Sequence, residues 1–213
     1  MLMVYSIIVL LLCFFGAIIM SLEILSDNLM APYFGGSIYT WGSIISSFML
    51  HMSIGYFLGG YLARKTKKLS HLFMLLMISS VWVIFIPQIN RPVSAFISNI
   101  IVDVRLGTLL VMTILFFLPI LIMAMISPYI IGILVEYNQQ ARFNAGLVLF
   151  ISTLGSFFGT NLTAFYLINL FTISNIITSL GAIGFILSIT ALIFNLDRRL
   201  KTGARVGRKP LMG

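Results

Sequence analysis

Four side chains able to bind a charged solute or to move a proton fall inside or beside apolar stretches of this sequence. Glu23 and Asp27 stand four residues apart near the end of the first apolar run, and His51 and Asn161 lie within later runs. An ionisable side chain inside a hydrocarbon layer is costly, so it marks a functional site by default. Carboxylates near aromatic rings suit a cation or an amine, through ion pairing and cation–π contact.

The depth of each side chain decides between a binding role and a structural one. Glu23 lies among the outer headgroups or, if the first helix runs on to Met30, in the outer third of the bilayer. His51 lies about 15 Å past Trp41, near mid-membrane, where it either bonds a neighbouring helix as a neutral imidazole or relays protons. Asn161 lies about 10 Å from the outer end of its run, where a bond to another helix would also account for it.

These depths predict one cavity in the outer half of the membrane with aromatic side chains at its rim. The candidate ligand-binding residues are Glu23, Asp27, Asn28, Tyr33, Trp41, His51 and Asn161. The alternative for Asp27 and Asn28 is a solvated loop that binds nothing. No histidine, cysteine or carboxylate stands three or four residues from His51, so neither a metal site nor a cofactor is predicted. No serine–histidine pair or paired carboxylates at one depth indicate an enzyme.

The composition of the chain requires a membrane. Its 213 residues are 60% hydrophobic and only 8% charged, which is too little charge to cover a soluble domain of this size. The net charge of +8 does not indicate nucleic acid, because no basic face with interleaved aromatic residues is present. Cys13 is the only cysteine, so a disulfide within the chain is excluded.

Six apolar runs are long enough to cross the membrane as helices, and they are continuous rather than alternating like strands. These runs cover residues 2–24, 41–63, 69–89, 106–127, 145–168 and 173–195. Short helices along the membrane interfaces are predicted for residues 93–104, whose apolar positions recur at helical spacing, and for residues 129–137. The predicted fold class is therefore an all-α polytopic membrane protein with six transmembrane helices.

The lysines and arginines predict the orientation. Of the 13 basic residues, all but Arg91 and Arg105 fall on one side of the six-run arrangement. This bias predicts that both termini are cytoplasmic, in a bacterial inner membrane. The six-helix domain is predicted to cover residues 1–196. Residues 197–213 are predicted to form a disordered basic tail that is attracted to anionic lipid.

Small residues predict close helix contacts in the second and fifth runs. Gly-x-x-x-Gly motifs let the backbones of two membrane helices approach each other. The glycines predicted to pack in this way are Gly55, Gly59, Gly60, Gly155 and Gly159. We therefore expect the second and fifth helices to be central, with neighbours from the same chain or from a partner.

The stretch EILSDNLMAPYFGGSIYTWGSIISSFMLHMSIGYFLGGYLARK resembles the first two spans of the membrane domain of fused spermidine-synthase-like proteins. The positions that match the pattern of that family are Glu23, Ala31, Pro32, Tyr33, Gly35, Ser37, Trp41, Gly55, Gly59, Gly60, Leu62 and Ala63. Later stretches, LPILIMAMISPYIIGIL and NAGLVLFISTLGSFFGTNLTAFYLI, resemble its fourth and fifth spans. Two positions depart from the pattern. Asn28 replaces an arginine that could pair with the glutamate, and Arg64 replaces an acidic residue similar to a gating acid of major-facilitator transporters.

The resemblance implies half of a major-facilitator-like fold, which would pair as a homodimer with its site at the interface. The function expected is a non-enzymatic binding or transport module for a small solute such as an amine or cation. The alternative is a scaffold that anchors a separate aminopropyltransferase-like enzyme, or an accessory subunit of a larger membrane complex. Aminopropyl transfer by this chain alone is not expected, since no glycine-rich nucleotide loop follows a strand. Membrane lipids are the remaining expected partner.

Overall fold

The computed structural model describes the backbone of residues 2–66, 68–137 and 141–194, and the side chains of residues 6–66, 68–134 and 143–194. All regular structure in these residues is helical. A π-helical segment, Thr163–Leu167, joins α6 to α7. The predicted tail, 197–213, lies outside the described residues. The helices are α1 Leu2–Phe34, α2 Ile38–Thr66, α3 Leu69–Ile100, α4 Val104–Ala124, α5 Ile126–Tyr137, α6 Ala141–Leu162, α7 Ile168–Leu170 and α8 Ile173–Ile193.

Six helical stretches are long and apolar enough to cross a membrane, which confirms the predicted fold class. We call them spans one to six. The fourth combines α4 with α5, and the fifth combines α6, the π-helical segment and α7. The spans cover Ser6–Phe34, Ile38–Thr66, Leu69–Ile100, Val104–Leu134, Phe143–Leu170 and Ile173–Ile193. The chain is therefore an integral membrane protein, and the orientation of its termini stays a prediction.

Span one ends ten residues beyond the predicted first run, because proline does not end it. Helix α1 continues through Pro32 to Phe34. Gly35 ends the helix, since its φ of +74° is the left-handed conformation that glycine adopts at a helix C-terminus. The Gly35 N–H donates to the carbonyl oxygen of Ala31 at 3.0 Å. Asp27 and Asn28 are consequently helical, which excludes the predicted alternative of a solvated loop.

Span three also runs further than predicted. Helix α3 continues through Pro87 and Pro92 and ends at Ile100. Residues 93–104, predicted as a separate interfacial helix, therefore belong mostly to α3. The other segment predicted to lie along an interface falls in α5, whose Tyr129 is fully buried. This segment is thus part of the helix bundle.

Three helix pairs make the most extensive contacts: α1 with α6, α2 with α4, and α3 with α8. The fourth span is the most buried, with 67% of its central window inside the bundle, and the fifth is the least, with 17%. The expectation that spans two and five are central is therefore wrong for span five. Its close contact with α1 uses one face, and the rest of its surface points outward.

The predicted packing glycines explain two of these pairs. A Cβ atom on Gly55 or Gly59 would overlap the backbone of α4 or the Met125 residue that follows it. A Cβ atom on Gly155 or Gly159 would overlap the backbone of α1. The prediction that Gly60 packs against another helix is wrong, because a Cβ atom there would meet nothing within 4 Å. Four of the five predicted glycines thus lie where the backbones of two helices come into close contact.

The two glycine motifs are equivalent in sequence and in structure. Residues 55–63, GYFLGGYLA, and residues 155–163, GSFFGTNLT, share glycine, phenylalanine, glycine and leucine at the same places. The first packs on span four and the second on span one. Exchanging spans one to three with spans four to six therefore leaves the three major helix pairs unchanged. This is the arrangement of two three-helix repeats with opposite directions in the membrane.

Tyr129 provides a first prediction about stability. Its buried hydroxyl donates to the carbonyl oxygen of Lys68 at 2.6 Å and lies 2.8 Å from the hydroxyl of Thr66. The variant Tyr129→Phe leaves these part-buried groups with fewer partners, and we expect a loss of about 1–2 kcal/mol in unfolding free energy. Thermal unfolding in detergent measures it, with the exposed Tyr166→Phe as control. Equal midpoints for both variants would contradict the assigned bond.

Candidate functional site

Two carboxylates lie on one face of α1. Glu23 and Asp27 are one helical turn apart and share this face with Gly16 and Phe34, since successive members are four or seven residues apart. On that face Gly16 packs against the backbone of α6, and Phe34 packs against the start of α4. The carboxylates therefore occupy the part of α1 between its contact with α6 and its contact with α4.

Neither carboxylate has a cationic partner among the described residues. Both side chains are half-buried, and Oδ1 of Asp27 is enclosed without a hydrogen bond. Span one is otherwise apolar, and an 18-residue stretch of it has a mean hydropathy of 2.7. A carboxylate in such surroundings is stable only when it is protonated or when a cation pairs with it. A proton, or a cation from outside the described residues, is therefore needed to neutralise these carboxylates.

His51 is buried in the interface between α2 and α4. Only 1% of its surface is exposed, and neither ring nitrogen has a hydrogen-bond partner within the part of the chain that the structure describes. Its ring meets Phe117 of α4 edge to face, with 5.2 Å between centroids. The predicted bond from the imidazole to a neighbouring helix is thus replaced by an aromatic contact, and both nitrogens are free for another partner.

Glu23 and His51 lie at nearly the same height in the bundle. Glu23 is about 16 Å down α1 from Phe34, which contacts Gly107 of α4. Phe117 is about 15 Å down α4 from Gly107. Because His51 contacts Phe117, the imidazole and the Glu23 carboxylate share one level. Helix α1 contacts both α2 and α4, so the two groups belong to adjoining helices.

A row of buried hydroxyls leads along α2 to the imidazole. Thr40, Ser43, Ser47 and His51 all lie on the buried face of this helix, three or four residues apart. Each hydroxyl donates to a backbone carbonyl at 2.8–3.3 Å. Thr108 of α4 has a buried hydroxyl with no hydrogen-bond partner in the described part of the chain. Sequence reasoning missed this row, although its spacing in an otherwise apolar helix was the available signal. Hydroxyls in such a row provide polar contacts for water or for a proton on its way to His51.

The remaining predicted ligand-binding residues do not lie beside Glu23 and His51. Asn28 is exposed on α1, and Tyr33 and Trp41 are half-buried where α1 ends and α2 begins. The side-chain amide of Asn161 donates to the carbonyl oxygen of Phe157 at 2.8 Å. Asn161 thus bonds its own helix rather than another one.

A cavity of about 300 Å³ lies between α1, α6, the π-helical segment and α8. None of the seven predicted ligand-binding residues lines it. This cavity is therefore not the outer-half cavity that the sequence predicted. Residues that sequence reasoning missed, among them Ser21, Asn175 and Ser179, form part of its wall.

Comparisons with protein-family models, with curated proteins and with solved structures gave no match to this chain. The resemblance to the membrane domain of spermidine-synthase-like proteins accordingly stays a prediction. Among the residues searched in the structure, no three histidine, cysteine, aspartate or glutamate side chains come together in a group that could hold a metal ion. The function is therefore inferred from the geometry of Glu23, Asp27 and His51.

Proposed function

We propose that this protein is a membrane-embedded binding or transport module for a small organic cation, such as an aliphatic amine. The supporting observation is the pair of carboxylates on α1, Glu23 and Asp27, inside an apolar span and without a cationic partner among the described residues. An ammonium group that binds there supplies the missing charge. It also supplies up to three hydrogen-bond donors to the carboxylate oxygens.

The geometry favours an amine over a metal ion. Ca²⁺ takes six to eight oxygen ligands, and Mg²⁺ requires an octahedral set. Two carboxylates one turn apart provide too few ligands, and no third acidic or histidine side chain joins them in a metal-binding group among the searched residues. An ammonium ion is satisfied by two or three acceptors.

His51 has a second role in this proposal. Its level matches that of Glu23, and the hydroxyl row of α2 reaches it from the end of the bundle where Gly35 lies. We assign to it the exchange of a proton with the carboxylate site when the amine enters or leaves. The carboxylate pair is only half-buried by its own chain. In the predicted homodimer, a second copy of the chain would cover this face of α1.

The direct test is amine uptake into proteoliposomes that contain the purified protein. Wild type is compared with Glu23→Gln and Asp27→Asn, with a radiolabelled polyamine as the probe. A hydrogen bond to a charged group contributes about 1.5–3 kcal/mol. We therefore expect each variant to weaken amine binding roughly 10- to 100-fold.

The matched control for this test is Asp103→Asn. Asp103 is exposed, caps the start of α4 by accepting from the N–H of Arg105 at 2.8 Å, and lies outside the spans. Asparagine caps helices equally well, so the variant folds and removes one acidic charge away from the site. Equal uptake by all four proteins, or uptake by none, would overturn the proposal.

A second candidate function, an accessory subunit or scaffold of a membrane complex, is favoured by the surface of span five. Several phenylalanines there are more than half exposed, including Phe143, Phe150 and Phe165. Extraction in a mild detergent followed by mass spectrometry of co-purifying proteins tests this role. A stable second protein, such as a soluble aminopropyltransferase-like enzyme, would support it, and recovery of this chain alone would exclude it.

A further inference from the structure

The cavity between α1 and α8 is a groove that opens on the lipid-facing side of the bundle. Several of its lining side chains are exposed, among them Phe14, Leu162 and Ile183. Its floor is closed by a hydrogen bond from the hydroxyl of Thr163, at the first residue of the π-helical segment, to Ser21 at 2.8 Å. Ser21 in turn donates to the Gly159 carbonyl oxygen at 3.2 Å. These floor groups are satisfied and leave an apolar trough.

The groove runs from one membrane boundary toward the membrane centre. Helix α8 has 21 residues, about 31 Å, which matches the thickness of the hydrocarbon layer, so its first turn lies at a boundary. Asn175 is in this first turn, and Ser179 is one turn deeper. Ile183 is about 12 Å beyond Asn175 along the helix axis. The groove is therefore polar near the boundary and apolar at depth.

The polar side chains at the mouth are available for a ligand. Elsewhere on α8, the hydroxyls of Ser188 and Thr190 donate to the carbonyl oxygen four residues earlier, at 2.8 and 2.7 Å. The side chains of Asn175 and Ser179 make no hydrogen bond within the described residues, and both are exposed on the groove. An amide and a hydroxyl at the boundary, above an apolar trough, match an amphiphile with a polar head and a hydrocarbon chain.

We propose that this groove is a binding site for one membrane phospholipid, with an acyl chain in the trough and the glycerol-ester region bonded to Asn175 and Ser179. The order of the lining, polar at the boundary and apolar below it, is that of a phospholipid, whose ester groups lie at the boundary and whose acyl chain lies in the hydrocarbon layer. The groove has a volume of about 300 Å³. The proposal does not depend on amine binding, since no residue of the carboxylate site lines the groove.

The test uses a phosphatidylcholine with a photoreactive diazirine on its acyl chain, reconstituted with the purified full-length protein. After irradiation, mass spectrometry maps the labelled residues. We expect adducts concentrated on Phe14, Leu180 and Ile183. The variant Ser179→Trp, which fills the groove, should lower this labelling at least fivefold. The variant Ile186→Trp, on the same helix but outside the groove, should leave it unchanged.

Three results would overturn the proposal. The first is labelling spread evenly over the exposed residues of all spans. The second is equal labelling of the groove in both tryptophan variants. The third is a crosslink from a photoreactive residue at position 183 to a second protein chain, which would make the groove a protein interface. If Ser179→Trp does not fold, the distribution of adducts on the wild-type protein decides the question alone.

Discussion

Gly155→Val is expected to disrupt the pair formed by α1 and α6 and to lower the yield of folded protein sharply. A Cβ atom at this position overlaps the carbonyl group of Cys13 on α1, and a backbone carbonyl cannot rotate away as a side chain can. The two helices must separate, which removes the close contacts that hold membrane helices together. Overpacking costs about 1–3 kcal/mol where neighbours adjust, and a backbone clash lies at or above the top of this range.

The thermal midpoint of the detergent-solubilised protein measures the effect. For a chain of this length, each kcal/mol shifts the midpoint by roughly 2–4 °C, so a loss of about 3 kcal/mol corresponds to roughly 6–12 °C. The glycine motif of the other repeat should behave in the same way, and we expect a similar fall for Gly59→Val, whose Cβ atom would also overlap a backbone. Its neighbour, Gly60, is the matched control, because a Cβ atom at Gly60 meets nothing within 4 Å.

Gly60→Val is therefore expected to leave the midpoint within about 2 °C of wild type. Since a Cβ atom at this half-buried position meets nothing, valine changes mainly the helix propensity, which favours valine over glycine by a few tenths of a kcal/mol. A fall of the midpoint for Gly60→Val as large as that for Gly59→Val would mean that the packing faces of α2 are assigned wrongly.

The parts of the fold that depend on hydropathy and close packing could be predicted from the sequence. Apolar length fixes the number of spans, because unsatisfied backbone groups in lipid leave only helices as an option. The Gly-x-x-x-Gly spacing identified the faces of α2 and α6 that approach another backbone. The same spacing says nothing about the opposite face, which is why span five was expected at the centre and lies at the edge.

The ends of the helices could not be predicted in the same way. The first and third runs were predicted to end at residues 24 and 89, yet both helices continue through prolines. A proline removes only one helix hydrogen bond, and neighbouring helices support the remaining turns. The true end of α1 is set by Gly35 and its left-handed backbone. Since Asp27 follows Glu23 within the same helix, this difference placed both carboxylates on one face of α1.

The candidate site was predictable in its side chains and not in their relative height or their partners. Counting residues at 1.5 Å each left Glu23 either at the outer headgroups or in the outer third of the bilayer, and placed His51 near mid-membrane. Which helix each side chain faces depends on how the spans rotate against one another. That rotation is set by glycine contacts outside the site, such as Gly55 on Leu121, one helical turn from His51. The missing hydrogen bonds of His51 follow from this rotation, because it turns the imidazole toward the ring of Phe117.

His51→Leu is expected to raise stability and to impair amine uptake. An imidazole carries at least one N–H group, and a buried polar group without a partner costs about 1–3 kcal/mol. Leucine has a similar size and no polar atom, so replacing the imidazole removes this penalty while the contact with Phe117 persists. We expect the thermal midpoint to rise by roughly 3–8 °C. The same change removes the proton-exchanging group at the level of Glu23, so uptake should fall even though the protein is more stable.

The chain supplies the control for this experiment in its other described histidine, His71. This residue is exposed near the start of α3, and His71→Leu should change neither the midpoint nor the uptake. A lower midpoint for His51→Leu would show that the imidazole is held by hydrogen bonds, to water or to another chain, and is structural. A higher midpoint with normal uptake would leave the imidazole without a role in transport. Only a gain in stability coupled to a loss of uptake agrees with a group that is kept unpaired because its partner is the proton or the solute itself.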